Sequence, residues 1–595
     1  MNDKIEHLRE RIRAAKREIP ADLVLKGGRV VNVFTGSIQQ GDVAVQGGLI
    51  VGVGPDYRGK EEVEVQGKWV VPGLMDGHIH IESSMLLPSR LGAALLPFGT
   101  TAIISDPHEI ANVMGIEGIR FMIRESQSIP FDVYFMAPSC VPATPLETSG
   151  ARLGPADLEE LKGEGRILGL AEMMNYPGLL GGDPEVLEKL ILFRDGIIDG
   201  HGPSLRGYEL QAYLCAGIGS DHETCDRDEG MEKLESGMMI MVREGTSAKN
   251  LEALLPLIND RNSRRFCFVS DDLHPQEILR RGHLSFMIRR AIELGLDPVT
   301  AIQLATLNPA EYFGFKDRGA VASGYRADLV VLADLGDFVV EKVYKDGRLV
   351  VDNGRVLDSL VAEIAPVPAW PINMAAITAE SFRIPRRGTT ARVIELIPGQ
   401  ITTGVGYEAV KSREDWVLSD IETDTLKLAV VERHKGTGRI GLGLVRGFGL
   451  KKGALASSVA HDSHNVIAVG VGDADLFRAV EEVRRMGGGL VAATGDKVLA
   501  RVPLEVAGLM STKPLGPLTE QLEKVNQAAR SLGCTLSDPF MVLSFLALPV
   551  IPELKLTDRG LVDVKGFRLV PLFVNPTNPP ASLPEGGSQG VGAFE

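Results

Sequence analysis

Residues 70–82 read Val-Val-Pro-Gly-Leu-Met-Asp-Gly-His-Ile-His-Ile-Glu, which sets His78 and His80 two positions apart. Side chains at i and i+2 of a strand point to the same side, so a strand end carrying this pair can offer two imidazoles to one metal ion. An apolar lead-in and a Pro-Gly turn precede the pair, and Glu82, Ser83 and Ser84 follow it. Similar residues close other apolar runs: Glu172 in Gly-Leu-Ala-Glu-Met, His201 in Asp-Gly-His-Gly, His222 in Ser-Asp-His-Glu and Asp271 in Val-Ser-Asp-Asp. Four imidazoles and two carboxylates are too many for one tetrahedral site with an open position, but they suit two divalent ions bridged by Glu172 and a hydroxide. Such a pair lowers the pKa of water toward about 7, so the chemistry in view is hydrolysis. Taken singly, a strand-end histidine is a hydrogen-bonded core residue and Asp271 a helix N-cap. Of eleven histidines, however, His78, His80, His108, His201 and His222 all fall at expected strand ends, and scatter rarely does that.

The elements that must position these residues repeat an apolar strand followed by a helix. The expected strands are 74–80, 101–105, 133–137, 167–172, 196–199, 216–220, 238–242 and 266–270, and eight of them in about 250 residues fit a (β/α)8 TIM-like barrel, whose site forms at the carboxyl ends of its strands. Residues 1–71 open with a charged amphipathic helix and continue as short strands at 23–25, 29–32, 42–46, 49–53 and 68–70. Strands return at 327–332, 339–345 and 348–351. The expected organisation is an α/β chain whose catalytic barrel (72–320) is inserted in a small β-sandwich built from 1–71 and 321–365. A C-terminal α+β domain follows at 366–595, including the helical run 473–486 and an extended tail from Asn575.

Composition narrows the partners. The 595 residues carry 78 acidic against 63 basic side chains, a formal charge of −15, which leaves no footprint for nucleic acid or an anionic membrane. No apolar signal core and no apolar run of about 18 residues stand out, so the expectation is a cytoplasmic protein that does not enter a membrane. Five scattered cysteines without a Cys-x-x-Cys support neither disulfides nor a thiolate zinc site. The same lack excludes the cytidine-deaminase type of zinc chemistry, which needs Pro-Cys-x-x-Cys.

The runs His-Ile-His-Ile-Glu-Ser-Ser and Ser-Asp-Pro-His-Glu-Ile, together with the strand-end pattern, resemble the amidohydrolase superfamily and, within it, the microbial adenine deaminases. The resemblance covers essentially the whole chain. Many binuclear relatives carry a carboxylated lysine on the fourth strand, and Glu172 in that place is similar to adenine deaminases and to amino-sugar deacetylases. The resemblance implies that His78 and His80 hold one ion, that His201 and His222 hold the other, that Glu172 bridges, and that Asp271 touches the attacking water and carries its proton. It favours Mn(II) or Fe(II) over Zn(II) and implies hydrolytic deamination of adenine to hypoxanthine in purine salvage, by a homo-oligomer, a dimer first.

A neutral purine needs hydrogen-bonding partners on its edges, for which Glu82, Asp106, His108, Arg243 and Asp272 are the candidates. Asp106 can equally cap a helix, and His108 can hold a further ion. His461-Asp462-Ser463-His464-Asn465 reads as a polar turn between strands, or else as a segment that closes over the barrel mouth or binds another ion. The Gly441-Leu442-Gly443 run is not a dinucleotide fingerprint, because its spacing to Gly447 is wrong, and no nucleotide cofactor is expected. The alternative functions are an amino-sugar deacetylase or another cyclic amidohydrolase and, remotely, a non-catalytic scaffold.

Overall fold

The computed structural model describes residues 2–360, 364–368 and 370–574, so the expected tail from Asn575 lies outside the described residues. The amphipathic start forms the helix Asn2–Ala15. Ala21–Asn32 is one strand where the sequence suggests two, because Gly27, at φ 69°, absorbs a register shift between Leu25 and Gly28. It pairs with Ser37–Gln46 and with Trp69–Pro72, and Leu329–Leu332 pairs with Trp69–Pro72 from the other side. Val340–Lys345 and Arg348–Asp352 continue the ladder. Segments far apart in sequence therefore complete one β unit. Its nine strands are hydrogen-bonded as a single sheet, and Val43, Val45 and Ile50 from one end of it pack in one core with Leu329, Val331 and Tyr344 from the other.

Between those segments the chain is mixed α/β with parallel strands. Leu74–Ile79, Thr100–Ser105, Asp132–Ala137, Ile167–Met173 and Ile197–Gly200 lie side by side in chain order, and Ser220–Asp221, Met239–Arg243 and Phe266–Val269 form a second parallel sheet. The sixth strand starts later than the expected Ala216, because Ala216 still closes the helix Gly207–Cys215 and Gly217 turns at φ 99°. Backbone hydrogen bonds join the two sheets at both edges. Gly219 N–H donates to Ile198 O (2.9 Å), Asp271 N–H to His78 O (3.0 Å) and His80 N–H to Asp271 O (3.3 Å).

These strands are buried on both faces, which is why they read as unbroken apolar runs. Met75, Ile104, Met136, Met241, Cys267 and Val269 pack together on one side, while Leu74, Ile103, Val133, Ile240 and Phe268 join the larger core shared with the helices. The alternation follows the two-residue period of a strand. Asp132 ties the parallel region to the nine-stranded sheet, accepting from Arg318 (2.9 Å) and Lys345 (3.0 Å), the latter also paired with Asp328 (2.9 Å).

Beyond residue 383 a mixed sheet of nine strands carries the helices Asp473–Met486 and Leu515–Ser531, and the glycine run near 441 lies in the strand Ile440–Arg446. This part packs on the parallel region through polar contacts. Thr148 donates twice to Asp558 (2.9 and 2.7 Å), and Ser511 N–H donates to Met85 O (2.8 Å).

Candidate metal centre and active site

The carboxyl ends of the parallel strands bring His78, His80, Glu172, His201, His222 and Asp271 into one buried nest. His78 and His80 end the first strand, and Asp76 two positions earlier fixes that end to the last strand. Its carboxylate accepts from His78 N–H (3.1 Å), Ser270 N–H (3.2 Å) and Ser270 Oγ (2.6 Å). Asp221 aligns the next two loops by accepting from Gly202 N–H (2.8 Å), beside His201, and from Thr224 N–H (2.8 Å), beyond His222. Buried Lys233 completes that staple, donating to Asp221 (3.0 Å), Glu229 (2.6 Å) and Gly202 O (2.8 Å). Burial opposes ionisation of Asp221, but Lys233 and His222 outweigh it and hold its pKa at about 2.

Glu172 is central. Its Oε1 lies 3.3 Å from His80 Nε2 and 3.7 Å from His108 Nδ1, and its Oε2 lies 2.6 Å from His201 Nδ1 and 3.2 Å from His222 Nε2. Asp271 Oδ1 stands 3.1 Å from His80 Nε2 and 3.4 Å from His78 Nε2, while its Oδ2 accepts from Arg243 (2.6 Å). The ligand atoms of His78, His222 and Asp271 fall within 4.8 Å of one another, as do those of Glu172, His201 and His222, and those of His80, Asp106, His108 and Glu172. The histidines thus group as His78 with His222, His80 with His108, and His201 with His222.

A divalent cation fits this nest. His80 Nδ1 faces the carbonyl oxygen of Asp106 (3.1 Å), an acceptor only, so Nδ1 carries a ring hydrogen and Nε2, aimed at carboxylate oxygens, is the nitrogen whose lone pair is left for a cation. Lone pairs facing lone pairs call for a cation between them. His78 Nε2, buried and without a hydrogen-bond partner, presents the same demand. The electrostatics agree: although burial favours the neutral ring, Glu172 drives His222 up to about 9, and although burial favours the neutral acid, the histidines around Glu172 and Arg243 beside Asp271 hold both carboxyls well below the usual range.

The cavity above the nest is lined by His80, Glu172, His201, His222 and Asp271 together with His108, Glu109, Glu223, Arg243, Asp272, Gly245, Ser247 and Ala248. Of the five residues expected to meet a substrate, His108, Arg243 and Asp272 line it. Glu82 and Asp106 do not. Glu82 accepts from Ile110 N–H (3.0 Å), and burial with the nearby Glu109 charge raises it to about 7; Asp106 accepts from the backbone and ring of His108 (3.1 and 3.0 Å) and so orients that imidazole. Arg243 is engaged by two carboxylates, Asp271 and Glu223 (Nη2 to Oε2, 3.2 Å). Sequence reasoning missed Glu223, although it adjoins His222, and of the far wall it singled out only the segment 461–465. Ile401, His461, Asp462, Phe545, Leu548 and Ile551 close the cavity from the C-terminal part of the chain. The segment 461–465 is a turn between the strands Ala454–Ser457 and Val466–Gly470, and its His461 and Asp462 line the cavity.

Residues 69–350 match the amidohydrolase family, the class that a nest of strand-end histidines and carboxylates on parallel strands defines, and residues 400–568 match the adenine deaminase C-terminal domain. The adenine deaminase of Desulfatibacillum aliphaticivorans is 52% identical over 94% of this chain and 99% of its own length. That of Methanothrix thermoacetophila is 48% identical over 95% and 99%, and one from Dehalococcoides mccartyi is 47% identical over the same shares. The chain belongs to the adenine deaminase family.

Proposed function

We propose that this chain hydrolyses adenine to hypoxanthine and ammonia in purine salvage, with two divalent ions, Mn(II) or Fe(II) ahead of Zn(II), held by His78, His80, Glu172, His201, His222 and Asp271. The reading rests on one observation above the others: relatives about half identical over nearly the whole chain are adenine deaminases, and the six ligands lie together in a buried nest. The eight parallel strands read as one (β/α)8 barrel, supported by the hydrogen bonds at both sheet edges, within a β unit at 1–71 and 321–365 and followed by an α+β domain at 366–595. A dimer in the cytoplasm is the expected state. Among the described residues no helix is long and apolar enough to cross a membrane.

Ions in the nest supply the Lewis acidity that makes a water nucleophilic near neutral pH. The protein does the rest. Asp271, kept ionised by Arg243, accepts the proton of the attacking water and returns it to the ring nitrogen or the departing amine. Attack at C6 and loss of the amino group release ammonia, so one water is consumed per adenine. Asp272, His108 and Glu109 face the purine edges. The deacetylase reading gains nothing from Arg243, whose charge is taken up by Asp271 and Glu223 instead of standing free for a sugar phosphate. Protein reconstituted with Mn(II) or Fe(II) is expected to release ammonia from adenine, and His80→Ala and Asp271→Ala to abolish that release. Acetate release from N-acetylglucosamine 6-phosphate with no turnover of adenine would reject the assignment.

A further inference from the structure

Glu109 is a buried carboxylate at the cavity wall, yet the residues that grip it come from a distant part of the chain. His461 Nδ1 lies 2.6 Å from its Oε1, and His464 Nε2 lies against its Oε2. The state of His464 follows from its other nitrogen. Ala460 N–H donates to His464 Nδ1 (3.2 Å), so that nitrogen bears a lone pair and Nε2 bears the hydrogen that faces Glu109. A protonated Nε2 is a hydrogen-bond donor and not a metal ligand, so Glu109, His461 and His464, although close enough to surround an ion, form a carboxylate clamp instead.

The clamp is rigidly built. His464 holds φ 54°, a left-handed conformation that persists only when its surroundings impose it. Arg433 donates to His464 O, Asn465 Oδ1 accepts from Arg433 N–H (3.2 Å), and Asn465 Nδ2 donates to Thr148 O (2.8 Å). His461 stacks on Phe545 with ring centroids 4.5 Å apart and 18° between planes, in the same apolar wall as Leu548 and Ile551. His108 Nε2 stands 3.6 Å from Glu109, one imidazole away from Glu172.

We propose that His461 and His464 are positioning residues by which the C-terminal domain holds Glu109 ionised and aimed into the cavity, where it accepts a hydrogen bond from a purine N–H. This deepens the adenine reading and rests on it. A carboxylate with each oxygen held by an imidazole is an acceptor only, so it recognises the N–H edge of a free base and gains nothing from an apolar edge. The histidines act on the purine through the carboxylate they hold, so their loss weakens binding more than turnover.

The test compares steady-state constants and metal content of four variants of the full chain. Glutamine places an amide nitrogen near the position of Nε2, and asparagine near that of Nδ1. His464→Ala and His461→Ala are expected to raise the KM for adenine about tenfold or more, the effect of one charge-assisted hydrogen bond, with a smaller fall in kcat. His464→Gln and His461→Asn are expected to return KM to within about threefold of the parent, and all four are expected to keep two metal equivalents. Glutamine no better than alanine in folded protein, an equal fall in kcat and kcat/KM, or a third metal equivalent lost with His464 would each overturn the proposal. Parent protein that does not deaminate adenine would instead reject the underlying assignment, so the two failures are distinct.

Discussion

Asp271 holds φ 53° at the end of the last parallel strand, a conformation costly for a residue with a side chain and commonest where function demands it. The strain places one carboxylate between His80, His78 and Arg243. Removing the guanidinium should be felt as a change in proton affinity. With Arg243→Gln the pKa of Asp271, now depressed, rises, so the acid limb of the kcat/KM profile is expected to move to higher pH and the maximum to fall by roughly a hundredfold. An unmoved acid limb would show that Asp271 does not set it. At this scale the sequence was informative because ligands at strand ends keep a fixed relation to the strand period, as His78 and His80 show. Glu82 and Asp106 carry the same residue types and the same neighbourhood, but a local hydrogen bond to Ile110 or His108 uses them, and no pattern in the chain reveals which carboxylate a backbone amide will claim.

Loops after the strands position the chemistry, and the staple of Asp221, Glu229 and Lys233 joins the two that carry His201 and His222. Lys233→Met removes a buried ammonium of similar length and leaves two carboxylates unpaired, a loss of about 3 kcal/mol in unfolding free energy. The same variant is expected to bind its second metal equivalent more weakly, measured by titration of the apoprotein. A variant that melts lower but binds both ions as tightly would separate stability from site assembly. The parallel strands were legible because burial on both faces makes them continuous apolar runs, and the sixth was misplaced by four residues because Ala216 fits a helix end as well as a strand start. The wall made by Ile401, Phe545, Leu548 and Ile551 was not legible, since such residues look like any core and the contact from His461 to Glu109 spans 352 positions.

Asp132, with Lys345 and Arg318, fastens the parallel region to the sheet that the chain ends of that region share. Burial raises its pKa, but the two cations outweigh this and hold it well below the ordinary range of about 4. A depressed folded-state value stabilises the protein above the unfolded value and loses that contribution as pH falls through the folded one. Asp132→Asn is therefore expected to unfold more easily at pH 7 by about 3 kcal/mol, and the gap to the parent should shrink steadily below about pH 4 in urea titrations. A gap that stays constant with pH would assign the effect to packing. The six proposed ligands are all made before residue 272, whereas the opposite wall of the cavity reaches to Ile551. A ribosome adding about 5–20 residues per second needs roughly a quarter-minute to a minute to cover that interval. During it a nascent chain would have the proposed ligands but only half a pocket, so metal would be captured before substrate could be held, and loading and catalytic competence would be successive events in the life of each molecule.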